Sequence, residues 1–227
     1  MTYVMSDLHG QYDKYQDILK QIRFKSSDNL FILGDICDYG PAPMKILLDM
    51  MVRPNVFAIA GDCDLKALRL LSKMESEEAK SDPDYRLEFT EWIQNGGMTT
   101  VSEFRALDED TRADILDYLA EEFMAYDEVE VGGTTYVMVH AGFPDYTEGS
   151  ALEDYEVDEL TDFEADFSKE VFSDKILITG HTPTYLQSED HRGRIYRRNG
   201  QIGIDCGAGE GETLGCLCLD NGKEYYA

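Results

Sequence analysis

A chain of 227 residues with 43% apolar content is long enough to bury one substantial core and too apolar to be disordered. Its 46 acidic residues against 20 basic ones give a formal net charge of −26, which argues against general nucleic-acid binding and against docking on anionic membranes, and leaves metal cations or a basic protein as favoured partners. Five cysteines with no CxxC pair, no signal-like leader and no apolar run near ~20 residues place the expected address in the cytoplasm.

Tyr3-Val4-Met5 reads as a buried strand, and the helix after it puts Tyr15, Ile18, Leu19 and Ile22 on one face. Leu30 to Leu33 is the next strand. Beyond Pro41 and Pro43, Ile46, Leu47 and Met50 form a second helical stripe, followed by a strand from Val56 to Ala60. This β-α-β-α-β order predicts a mostly parallel sheet with helices on its faces. Residues 64–125 read as helical throughout, broken at Asn95-Gly96-Gly97. Val129 to Val131, the Gly132-Gly133 turn and Thr134 to Val139 predict a hairpin.

The stretch from Glu148 to Asp174 is densely acidic but interleaved with Leu152, Tyr155, Val157, Leu160 and Phe163. It reads as an exposed cover over part of the core, with partner binding or site covering as the alternative. Further strands are expected at 176–178, 202–204 and 214–219, the last with Leu217 and Leu219 on one face and Cys216 and Cys218 on the other. The one basic cluster, His191-Arg192-Gly193-Arg194 with Arg197 and Arg198, reads as decoration of a hairpin exit, with anion binding as the alternative. No linker or repeat divides the chain, so residues 1–227 are expected to form one domain.

Five strand ends carry polar clusters beside glycine: Asp7-Leu8-His9-Gly10, Gly34-Asp35-Ile36-Cys37-Asp38, Gly61-Asp62-Cys63-Asp64, His140-Ala141-Gly142 and Gly180-His181-Thr182-Pro183. The carboxyl ends of strands in open α/β sheets are where ligands bind. Three of the four histidines sit at these ends. With Asp7, Asp35 and Asp62 they make a set of imidazoles and carboxylates suited to two divalent ions, Mn, Fe or Zn.

These motifs, in this order, resemble those of the calcineurin-like metallophosphoesterases, above all bacterial serine/threonine phosphoprotein phosphatases. The likeness extends through Trp92-Ile93-Gln94-Asn95-Gly96-Gly97, Ile204-Asp205-Cys206-Gly207-Ala208 and the closing 216–220 and 224–226 stretches. It implies an α/β fold, a β-sandwich of two mixed sheets flanked by helices. It also implies that Asp7, His9 and bridging Asp35 hold a first metal, and Asp35, Asp62, His140 and His181 a second. A metal-bridged hydroxide would then hydrolyse a phosphomonoester, either a phosphorylated peptide or a small phosphoester.

Four positions depart from the family's pattern. Asp62 stands where a neutral asparagine is usual, so two divalent ions face three carboxylates instead of two, which should weaken attraction for phosphate. Cys63 occupies the position of the general-acid histidine that Asp38 would orient, and a thiol is the weaker acid and the weaker hydrogen-bonding group. Loss of general acid catalysis costs about 10²–10⁴-fold, most for alkoxide leaving groups. Tyr39 replaces a phosphate-gripping arginine, and Glu164 falls best at the place of a second. The expected outcome is a phosphoesterase with reduced or re-specialised activity, or else a pseudophosphatase that acts as a binding protein. A tyrosine-phosphatase-like role for Cys63 as nucleophile finds no phosphate-cradling loop after it.

Overall fold

A computed structural model describes residues 1–227, the side chain of Glu78 aside. The first half builds strands β1 (Thr2–Met5), β2 (Asn29–Leu33) and β3 (Val56–Ile59), joined by helices α1 (Tyr12–Ile22) and α2 (Pro43–Met51). All three strands pair in parallel, as the alternating order requires. Pro43 opens α2, where its fixed φ and missing N–H cost nothing. Helices α3 (Asp62–Leu71), α4 (Glu77–Ser81), α5 (Pro83–Trp92), α6 (Met98–Ala106) and α7 (Glu109–Glu121) follow.

The expected helical break lies between α5 and α6 as a π-helical turn, Ile93–Gly97, with Gly96 at φ 111°. The helical run stops short of residue 125, however. Phe123–Met124 forms β4, parallel to β3, because its short apolar pair completes the sheet edge rather than a further turn of helix.

The second half supplies β5 (Tyr126–Val131), β6 (Thr134–Val139), β7 (Lys175–Thr179), β8 (Tyr196–Arg198) and β9 (Gln201–Gly203). Between β6 and β7 lies α8 (Val157–Thr161), and between β7 and β8 lies α9 (Thr184–Gln187). The chain ends in β10 (Gly215–Cys218) and β11 (Glu224–Tyr226). Two mixed sheets result, one in the order β11-β10-β1-β2-β3-β4 and one in the order β5-β6-β7-β9-β8. The final strands return to the first sheet, with β10 antiparallel to β1.

The alternation of side chains along the strands decides how the layers stack. Val4, Phe31, Leu33, Ile59 and Leu217 point inward from the first sheet to meet Met138, Ile178 and Ile202 of the second. The opposite faces of the same strands, through Tyr3, Met5, Leu30, Ile32, Cys216 and Cys218, pack on the helices. The local β-α-β-α-β pattern predicts helices on both faces of the first sheet. They occupy one face only, because the second sheet covers the other.

The acidic 148–174 stretch lays Leu152, Leu160 and Phe172 over Val137, Val139 and Leu177 on the outer face of the second sheet and turns its carboxylates outward. The basic cluster is largely internally paired: Arg192 binds Glu189 and Glu212, Arg197 binds Glu224, and Arg194 lies over the Tyr226 ring. Among the described residues no helix is long and apolar enough to cross a membrane.

Candidate metal centre

The strand ends of both sheets open at the same edge of the sandwich, and there the polar clusters meet. Their backbones are unusual. Six of the nine non-glycine residues with positive φ among those described belong to this edge: Asp7, His9, Asp35, Asp38, Tyr39 and His181. Left-handed geometry costs an L-residue of order 1–2 kcal/mol, so the surrounding fold must hold all six there. Gly34, at φ 78°, lets two loops touch, since a Cβ on it would come within 2.5 Å of the Gly61 amide nitrogen.

Asp35, Asp62, His140 and His181 present ligand atoms that all lie within 4.8 Å of one another. His140 Nε2 is 3.5 Å from Asp35 Oδ1 and 3.6 Å from Asp62 Oδ1, and His181 Nδ1 is 3.3 Å from Asp62 Oδ1. The His140 Nδ1–H donates to the Leu33 carbonyl at 2.6 Å, which turns Nε2 toward the carboxylates. That Nε2 is fully buried and has no hydrogen-bond partner. A buried polar atom left orphaned between two carboxylates is what a cation site presents, so the donor set fits a divalent ion.

The electrostatics agree. Burial by itself would lower the His140 pKa, but Asp35, Asp62 and Asp7 outweigh it and push it up to about 10. Burial raises the Asp62 carboxyl, yet His140 and His181 together hold it well below the usual carboxylate range. A bound cation would take over the compensation that the imidazolium proton supplies here.

A second set, His9, Asp35 and Cys63, also converges within 4.8 Å. His9 Nδ1–H donates to the Cys37 carbonyl at 3.0 Å and leaves Nε2 3.6 Å from Asp35 Oδ2. Asp35 thus offers one oxygen to each half of the site. Asp7, the expected partner of His9, joins neither set. Both of its oxygens accept the His181 amide at 3.1 Å, and burial together with the nearby Asp205 raises its pKa.

Asp38 lacks the histidine that would be its usual partner, and its carboxylate accepts the Trp92 indole N–H at 2.7 Å and the Thr100 hydroxyl at 2.7 Å instead. It is 2% exposed and held behind the site. Tyr39 stands at the mouth, 53% exposed, edge-on to His9 with ring centroids 4.9 Å apart. A side chain on Gly96 would strike the Tyr39 ring at 2.7 Å, so the π-helical turn leaves that ring its place. Burial and the neighbouring Cys63, Asp38 and Asp35 push the Tyr39 hydroxyl up to about 12. Glu164 is exposed and does not line the cleft; from the same stretch Asp162 comes within 3.9 Å of His181 Nε2.

Two residues with no assigned role in the sequence reading also shape the site. Asp64, fully buried, accepts the Ile36 and Cys37 amides at 3.0 Å and the Gly61 amide at 3.3 Å, stitching the β2 loop to the start of α3. An acid three residues after a helix-opening glycine is a legible capping signal. Asp205 accepts the Gly207 amide at 2.8 Å, and burial pushes it up to about 6. Its signal was the same glycine-flanked strand end that marks the other clusters. The cleft over these groups measures about 280 Å³ and is lined by His9, Asp35, Tyr39, Asp62, Cys63, His181, Asp205 and Glu210, with no lysine or arginine among the described residues. Lys66, 3.9 Å from Asp62, lies outside that lining.

Residues 2–204 match the family model of calcineurin-like phosphoesterases. A symmetrical bis(5'-nucleosyl)-tetraphosphatase from Xanthomonas campestris is 28% identical over 143 residues, covering 62% of this chain and 38% of that protein. The matched stretch therefore spans about two fifths of that relative's length. Among solved structures, one described as a candidate diadenosine tetraphosphatase superposes at TM-score 0.67 with 18% identity, covering 100% of this chain and 92% of its own. A protein serine/threonine phosphatase from Saccharomyces cerevisiae superposes at TM-score 0.58 with 11% identity, covering 100% of this chain and 78% of its own. At these identities the two structures share the fold.

Proposed function

Because the chain belongs to the calcineurin-like phosphoesterase family, we propose that residues 1–227 form one metallophosphoesterase domain that hydrolyses phosphate esters or anhydrides with weakly basic leaving groups. The observation that carries metal dependence is His140 Nε2, buried and unpartnered between Asp35 and Asp62. Asp35, Asp62, His140 and His181 would hold one divalent ion, and His9 with Asp35 a second. When bound, such ions lower the pKa of water and offset charge on phosphoryl oxygens.

The protein's own side chains narrow the substrate class. Protonation of the leaving oxygen falls to no imidazole free of metal duty: His9, His140 and His181 all face carboxylates, and a thiol occupies position 63. A serine alkoxide needs that proton, whereas a nucleoside diphosphate or an aryl oxide departs without much help. Symmetrical cleavage of a dinucleoside tetraphosphate releases a nucleoside diphosphate, so the relatives named as tetraphosphatases supply the first substrate to try. Asp62, Asp205 and Glu210 repel a bare polyphosphate, and the substrate would enter as its cation complex. Tyr39 would donate one hydrogen bond at the mouth and supply no charge.

A second reading, a binding protein without turnover, draws support from the joint departures at 39, 62 and 63 and from the engagement of Asp7 by the His181 amide. One experiment separates the two. The metal-loaded protein is offered diadenosine tetraphosphate, an aryl phosphate and a phosphoserine peptide. Turnover of the first two with little of the third is expected. Preference for the phosphopeptide overturns the substrate class, and no turnover of any of the three, with metal bound, supports the binding protein.

A further inference from the structure

The geometry points to Cys63 as a metal ligand, completing with His9 and Asp35 a site for a thiophilic cation beside the Asp35–Asp62–His140–His181 site. The inference rests on the metallophosphoesterase reading above and goes beyond it. Cys63 is the second residue of α3, and its amide donates to Asp35 Oδ1 at 3.1 Å, which pins the thiol next to the shared carboxylate. Cys63 is 6% exposed, and its thiol donates to Asp62 Oδ2 at 3.9 Å. His9 Nε2 is oriented toward the same carboxylate by the Cys37 carbonyl.

An independent observation shows that Asp35 is poised to bridge. The orphaned, fully buried His140 Nε2 faces its Oδ1 while His9 Nε2 faces its Oδ2. Asp7 lies outside the converging set, with its oxygens on the His181 amide, and Cys63 supplies the third converging donor on the His9 side.

The chemistry follows from the donor set. On binding, the Sγ–H bond breaks and its electron pair forms the Sγ–metal bond. The proton passes to buffer, and nothing is oxidised or reduced. Burial and the nearby Asp35 and Asp62 disfavour a free thiolate, so the sulfur gives up its proton only to a bound cation. An imidazole, a carboxylate and a thiolate select zinc or ferrous iron over manganese or magnesium. Position 63 therefore trades a proton donor for a ligand, and metal preference changes along with leaving-group preference.

The test is to strip the full-length protein of metal under anaerobic conditions and titrate it with Co(II). A near-ultraviolet sulfur-to-cobalt charge-transfer band should saturate with one of two bound equivalents. It should vanish in Cys63→Ser while the visible ligand-field bands of the other site remain, and it should persist in Cys37→Ser. Zinc over manganese preference should fall by at least about tenfold in Cys63→Ser, since even outer-shell changes cost that much. Near-ultraviolet circular dichroism of each variant reports whether it is folded. Two cobalt ions bound by the wild-type protein without the charge-transfer band overturn the thiolate ligand and leave the phosphoesterase reading standing. Failure to bind cobalt at either site overturns both.

Discussion

On one side of Asp35, Asp62, His140 and His181 converge from three further strand ends, and the Leu33 carbonyl turns His140 inward. On the other side His9 and Cys63 converge, while Asp7 is turned to a backbone amide and Asp38 to an indole and a hydroxyl. The first half keeps what a divalent cation requires: two imidazoles, one of them oriented by a backbone carbonyl, carboxylates and an unpartnered nitrogen. In the second half two carboxylates accept hydrogen bonds from the surrounding fold instead of converging with His9 and Cys63. Family motifs at the strand ends therefore do not guarantee one shared job for their side chains. The hydrogen-bond partner of each carboxylate decides it.

The largest expected effect comes from breaking the intact half. His140→Ala should abolish one of two bound metal equivalents and lower kcat/KM for the best substrate by at least about 100-fold, more than outer-shell changes produce. Metal analysis and hydrolysis rates check this, and an unchanged stoichiometry would erase the distinction between the halves. Metal removal should follow. With metal at about 100 times Kd, binding contributes about 2.7 kcal/mol, so chelation should lower Tm by roughly 5–10 °C, recovered on adding back two equivalents.

The second half answers to stability instead. Trp92→Phe strands the buried Asp38 oxygen and should cost about 1.5–3 kcal/mol in urea denaturation, with both metal equivalents retained. Cys63→His should raise phosphoserine-peptide turnover by no more than about tenfold, well below the full value of a general acid, because Asp38 is already engaged by Trp92 and Thr100. A gain of about 100-fold or more would show that Asp38 can leave those partners. The smallest effect belongs to Lys66→Ala, where loss of a long, half-exposed pair with Asp62 should change stability by less than about 0.5 kcal/mol.

Much of this was legible from residues alone. Periodicity located β1, α1, β2, α2 and β3, and alternation in 214–219 put Leu217 and Leu219 on one face and Cys216 and Cys218 on the other, which the fold makes the inter-sheet core and the helical face. Glycine beside Asp or His at successive strand ends marked the edge where the clusters meet. Such signals are local, spanning a few residues whose spacing dictates which way side chains point. The same local logic misplaced helices on both faces of the first sheet, since no short-range pattern announces a second sheet arriving more than 100 residues later.

The sequence by itself determined the strand-end motifs, the acidic surface and the replacements at positions 39, 62 and 63. Tertiary structure decided how those residues are used. Trp92 reaches Asp38 from 54 residues away, Thr100 from 62, and the His181 amide reaches Asp7 from 174. Cys63 meets His9 and Asp35 only because β1, β2 and β3 lie side by side. A carboxylate takes the nearest donor that the closed fold presents, and that proximity is a property of packing, not of spacing along the chain.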